Sequence, residues 1–81
     1  MALRVLAFAR LRELLGFGER AIEVGSSATL EDVWVSLTAA SPEAGRMRAS
    51  TRFARNGIVV DGATRIADGD EIALLPPVGG G

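Results

Sequence analysis

From Thr29 to Pro42 the sequence leaves the chain little choice. Leu30, Val33, Trp34 and Leu37 fall at i, i+3, i+4 and i+7, the spacing of one face of a helix. Thr29 stands where an N-cap belongs, and Asp32, three residues on, can bond back to it in a shorter form of the capping box. Ser41-Pro42 ends the run, because the residue before proline avoids helical dihedrals. Pro42 can in turn open a second short helix reaching about Ala49. A helix with one apolar face has to bury it against another layer, and the remainder of the chain must supply that layer.

It does so as strands. Leu3 to Ala9 reads as a strand that is apolar on both faces apart from Arg4, which places it centrally in a sheet. Arg10 to Leu15 follows as a helical turn or two, stopped by Gly16, and Gly16-Phe17-Gly18 makes a turn. Glu19 to Val24 alternates, with Ile22 and Val24 on one face and Glu23 on the other, as in a half-buried strand antiparallel to the first. In the last third, Arg52–Arg55 and Ile58–Val60 flank Asn56-Gly57, a hairpin signal because both residues tolerate positive φ. Asp61-Gly62 and Ala67–Asp70 make two more turns, the second leading into a strand at Glu71–Leu75. If that last strand lies parallel to the first, the long helix is the crossover between them. The expected class is α+β: a mixed sheet with one main helix on one face and short helices beside it.

Composition narrows the chemistry. With 81 residues, the chain is one domain. It has no cysteine, histidine or lysine, so it lacks a thiol nucleophile, the commonest general base and a Schiff-base amine. It also has no side-chain amine to accept an isopeptide bond. Its net charge of −1 shows no basic stripe, so nucleic acid is not an expected partner. No apolar run approaches the roughly 20 residues that cross a bilayer, and the N-terminus lacks a signal-peptide layout. The expectation is a cytoplasmic chain away from membranes. Asp68-Gly69-Asp70-Glu71 is acidic but lacks the alternating ligands of a calcium loop. It reads as a turn, and no metal site is expected.

The sequence closes on LLPPVGGG. Ile72 and Leu74 share one face of the last strand, Ala73 and Leu75 the other; one pair belongs in the core. Pro76-Pro77 cannot continue a sheet ladder and favours an extended projecting segment. Residues 1–75 are therefore expected to form the domain and 76–81 a tail. Val78 to Gly81 add at most about 13–14 Å of reach. Gly79, Gly80 and Gly81 have no Cβ, so this end could thread a narrow channel. The reactive group expected on it is the α-carboxylate of Gly81, ionised at neutral pH. Attack on the α-phosphate of ATP would give an acyl-adenylate, from which a sulfur or amine nucleophile could displace AMP.

FARLRELLG at 8–16, DGDEIALLPPV at 68–78 and the final Gly80-Gly81 resemble the small subunits of molybdopterin synthase, which are ubiquitin-like sulfur carriers. The resemblance covers both ends; residues 39–55 carry no distinctive motif. It implies a β-grasp fold and no catalytic activity of the chain alone. An E1-like adenylyltransferase would activate Gly81 with ATP, and a sulfur donor protein would convert the carboxylate to a thiocarboxylate. The tail would then enter the large synthase subunit and give sulfur to cyclic pyranopterin monophosphate, within a heterotetramer. No cofactor would be bound by this chain itself. Phe8, Val59 and Leu75 match partner-facing apolar positions of the family, with Pro76 and Pro77 leading to the tail. Arg12 and Glu13 match its motif but read equally as a solvated helix face. The chain departs from the family in Leu74-Leu75, where many relatives have aromatic residues, and in Gly79, where Ser, Thr or Ala is usual. Two other classes of function remain open on the sequence. One is a carrier delivering sulfur to thiamine, a tRNA base or an amino acid; the other is a ubiquitin-like binding module without tail chemistry.

Overall fold

A computed structural model describes residues 1–77. Strand β1 (Ala2–Ala7) runs into helix α1 (Ala9–Leu15), then β2 (Glu19–Glu23), the long helix α2 (Leu30–Thr38), and a short helix α3 (Pro42–Gly45). A 3-10 turn at Arg48–Ser50 leads to β3 (Arg52–Arg55), β4 (Ile58–Val60) and β5 (Glu71–Leu75). The strands form one sheet in the order β2-β1-β5-β3-β4. β1 is antiparallel to β2 and parallel to β5, and β3 is antiparallel to both β5 and β4. The central, parallel pairing of the first and last strands is the one the sequence pattern anticipates.

Helix α2 starts as expected. The Asp32 N–H donates to the Thr29 hydroxyl at 3.3 Å, and the Thr29 N–H donates to the Asp32 carboxylate at 2.9 Å. Two orphan donors of the first turn are thereby satisfied. Leu30, Val33 and Trp34 are buried against the sheet. They meet Leu3, Val5 and Ala7 of β1, Ile72 and Leu74 of β5, and Phe53 of β3, with Leu11, Ala44 and Ile66 closing the sides. Register sets this face: Val5 stands beside Ile72 and Ala7 beside Leu74, while Phe53 stands opposite Leu74. The Asn56-Gly57 hairpin forms with φ of 50° and 86°, the two positive angles that a two-residue turn of this kind requires.

Three boundaries differ from the sequence reading by more than one residue. α2 ends at Thr38, short of Ser41-Pro42. The Ser41 N–H bonds the Thr38 carbonyl at 3.0 Å, and the Ser41 hydroxyl accepts from Ala44 N–H to start α3. Ser41 is thus spent on capping the next helix. The helix expected over 42–49 is broken after Gly45, a poor helix former, and resumes only as the 3-10 turn. Finally, β1 stops at Ala7 instead of Ala9, because Ala9 adopts a left-handed φ of 49° and opens α1.

Candidate functional site

Strand alternation that turns Leu3, Val5 and Ala7 inward turns Arg4, Leu6 and Phe8 to the open face of the sheet. Cross-strand register extends this face. Leu6 lies beside Ala73, Ala73 opposite Ala54, Ala54 opposite Val59, and Arg52 opposite Leu75. An apolar stripe therefore crosses the sheet from β1 to β4. Carrying the β1–β5 register one step beyond Ala7–Leu74 brings Phe8 next to Leu75. Phe8 is 44% exposed and Val59 56%, whereas Leu75 and Pro76 are half-buried and Pro77 is exposed. Of the residues singled out from sequence, Phe8, Val59, Leu75, Pro76 and Pro77 are thus brought to one face or its margin. Gly79, Gly80 and Gly81 lie outside the described residues.

The open face is graded. At the end where β1 and β5 begin, Arg4 bonds Glu71 and lies 3.6 Å from Glu19. At the other end stand Phe8 and Leu75, with exposed Arg52 beside Leu75, and there β5 gives way to Pro76-Pro77. A chain leaving β5 exits beside the apolar end.

The Ala67–Asp70 turn does more than reverse the chain. Asp70 is 5% exposed. Its carboxylate accepts from Arg55 Nε at 2.6 Å, Asn56 Nδ2 at 2.9 Å and the Ala67 N–H at 2.7 Å. The Asn56 amide oxygen accepts from the Glu71 N–H, and the Asn56 N–H donates to the Glu71 carbonyl. These bonds weld the β3–β4 hairpin to the start of β5, and so fix Val59 relative to Leu75. Sequence reasoning found the turn but missed this hub, since Arg55 and Asn56 lie far upstream and no spacing rule links them to Asp70. Leu6 and Ala73 were likewise missed as parts of the stripe; only register reveals them.

Burial alone would raise the Asp70 pKa, but the hydrogen bonds from Arg55, Ala67 and Asn56 outweigh it and hold the carboxyl below its ordinary value. Glu31 is lowered too, chiefly by the hydrogen bonds from Arg48. A depressed folded pKa gives stability that is present above the unfolded value and lost as pH falls through the folded one. Unfolding stability is therefore expected to be flat down to about pH 5 and to fall below about pH 4. Asp70→Ala should cost about 2–3 kcal/mol at neutral pH by leaving charged and backbone donors unpaired. Denaturant titrations across the acid range check both: an acid limb equally steep in Asp70→Asn would exclude Asp70 as a contributor.

Other polar groupings serve the fold. Arg48 holds Glu31 through Nε and Nη2 at 2.8–2.9 Å, donates to the Thr51 carbonyl and lies 4.4 Å over the Phe53 ring. Glu13 pairs with Arg10 on the surface, which adds little stability. Among the described residues no cluster of three or more metal-binding side chains occurs, and no helix is long and apolar enough to cross a membrane.

A mixed sheet with parallel central strands, one long helix across one face and the other face open is the ubiquitin-like β-grasp, here with an apolar patch where its last strand ends. The chain belongs to the ThiS family, whose profile matches residues 5–81. It is 37% identical over 83 residues to the molybdopterin synthase sulfur carrier subunit of Chlamydomonas reinhardtii, covering 100% of both chains. The crystal structure of SAMP1, the small archaeal modifier protein 1, from Haloferax volcanii is 31% identical with a TM-score of 0.83 and 100% of both chains covered. A putative molybdopterin converting factor subunit 1 from Pyrococcus furiosus is 27% identical with a TM-score of 0.84, covering 96% of this chain and 99% of that one.

Proposed function

We propose that the chain is a sulfur carrier for molybdopterin synthesis, with the carboxylate of Gly81 as the carrying group. One observation carries this reading: the family match runs to residue 81, and the strand leading there leaves the sheet at the apolar end of its open face. Residues 76–81 act as a projecting tail on a domain of residues 1–75. In an E1-like activating enzyme, a Gly81 carboxylate oxygen attacks the α-phosphorus of ATP and pyrophosphate leaves. A hydrosulfide equivalent from a donor protein then displaces AMP, leaving a thiocarboxylate. The tail next enters the active site of a large synthase subunit, in the cytoplasm and within a heterotetramer, and gives its sulfur to cyclic pyranopterin monophosphate. A chain without histidine, cysteine or lysine suits this division of labour, since its partners supply the acid–base chemistry.

Phe8, Val59, Leu75, Pro76 and Pro77 dock the partner. A desolvated aromatic anchor contributes about 2 kcal/mol or more, near thirtyfold in affinity. Phe8→Ala is expected to weaken the large subunit by that amount in calorimetric titration, while changing stability by about 0.5 kcal/mol or less because the ring is exposed. Unaltered affinity would remove Phe8 from the docking surface.

The carrier reading is tested by intact mass after incubation with the activating enzyme, ATP and a sulfide source. ATP-dependent replacement of one oxygen by sulfur, localised to Gly81, is expected. No exchange, with the activating enzyme working on another carrier, sinks it. The modifier name of the Haloferax relative favours a second use of the same acyl-adenylate, transfer to an amine of another protein. In host lysate that use would appear as covalent conjugates of higher mass.

A further inference from the structure

Among the described residues, two besides glycine have positive φ, Asn56 and Ala9. Asn56 is accounted for by its hairpin turn. Ala9 is not: an alanine at φ 49° is uncommon, since its Cβ crowds the following carbonyl. Such a conformation persists only where the surroundings over-determine it, and here they do. The Ala7 N–H donates to the Gly18 carbonyl at 3.0 Å, which holds the end of β1. Two residues beyond Ala9, Leu11 is fully buried in the core. The N–H groups of Leu11 and Arg12 both donate to the Phe8 carbonyl, at 3.1 and 3.3 Å.

Phe8 sits between these anchors with extended dihedrals, φ −127° and ψ 156°. Its side chain therefore points away from that of buried Ala7 and onto the open face. The next residue must send the chain back to the core side within two steps, so that Leu11 reaches its place. The left-handed turn at Ala9 does this without a linker: strand, one extended residue, helix.

We propose that Ala9 is a positioning residue, whose left-handed backbone aims Phe8 at the partner subunit. The inference rests on Phe8 docking that subunit, as argued above. It concerns backbone direction and not the methyl group, so substitutions sort by what they permit at positive φ. Gly and Asn accept this region, whereas a β-branched residue of Asn-like size does not.

The experiment measures affinity for the large subunit by calorimetry, with thermal melting of each variant, in Ala9→Gly, Ala9→Asn and Ala9→Val, each with Phe8 intact and with Phe8→Ala. Ala9→Gly and Ala9→Asn are expected to bind within about twofold of the natural chain. Ala9→Val should lose about tenfold, within the range by which neighbouring residues couple. In the Phe8→Ala background that tenfold loss should vanish, because there is no ring left to misdirect. A merely structural role would move melting in both backgrounds and leave no such non-additivity. If Ala9→Val fails to fold, methyl shifts of Leu75 decide: the Phe8 ring current, read as the shift difference between the natural chain and Phe8→Ala, should persist in Ala9→Asn. Natural affinity in a folded Ala9→Val, an equal loss in both backgrounds, or a vanished ring current in Ala9→Asn overturns the inference alone. Natural affinity in Phe8→Ala overturns it together with the docking surface.

Discussion

Removing Gly80 and Gly81 is expected to abolish thiocarboxylate formation and sulfur transfer while leaving the domain folded. The shortened chain would still end on a glycine, Gly79, and would still present a carboxylate. What it loses is reach. Two residues of extended chain span about 7 Å, and misplacement by even about 1 Å can cost a hundredfold in rate. A carboxylate held 7 Å short of the activating nucleotide does not react, so the loss should reach background. Stability should not follow. Every buried apolar residue of the described core lies between Leu3 and Leu74, so the truncation removes nothing that the core uses. The large subunit should still bind through Phe8, Val59 and Leu75, with affinity reduced only by the tail's own contacts. Intact mass, calorimetry and thermal melting on one preparation check the three parts. Sulfur transfer at the natural rate by the truncated chain would remove Gly81 as the carrying group.

The parts of the fold that were legible in the sequence are those written in local spacing. The Thr29–Asp32 cap, the apolar face at Leu30, Val33 and Trp34, and the Asn56-Gly57 turn each depend on residues within a few positions of one another. The central place of β1 was legible because both its faces are apolar. That same property hid which face would be open. Leu3, Val5 and Ala7 are no more apolar than Leu6 and Phe8, and only the packing of α2 on one side decides between them. β5 posed the same ambiguity, resolved by Ile72 and Leu74 turning inward. The residues proposed to dock a partner could be named one by one through family resemblance, but their arrangement required register. Leu6, Ala73, Ala54 and Val59 become a stripe only when four strands are laid side by side. Asp70 and Ala9 were invisible for different reasons. Asp70's two side-chain partners are distant in sequence, and alanine gives no warning of a left-handed turn.

Phe53→Ala is expected to be the most destabilising single substitution considered, because one ring joins three parts of the structure. Its side chain is buried, its centroid lies 6.0 Å from that of Trp34 at a tilted 55°, and Arg48 covers its face at 4.4 Å. Truncating a buried phenylalanine costs about 3–5 kcal/mol. A domain of 81 residues has about 4–12 kcal/mol in total, so the variant should sit near its unfolding threshold. Melting should fall by at least about 12 °C at this size. Phe53→Leu separates the contributions. It retains most of the buried volume but gives up the ring contacts with Trp34 and Arg48, and should cost about 1.5 kcal/mol or less. Function enters through β3, which lies between β4 and β5 and so joins Val59 to Leu75 across the open face. At a temperature where Phe53→Ala is folded, partner affinity should stay near the natural value, since the ring points to the opposite side. On warming, binding and fold should be lost together, at the same temperature. A loss under about 1 kcal/mol in denaturant titration would contradict the place given to Phe53. Binding lost well below the melting transition would show instead that β3 detaches locally, parting the two halves of the docking face before the core gives way.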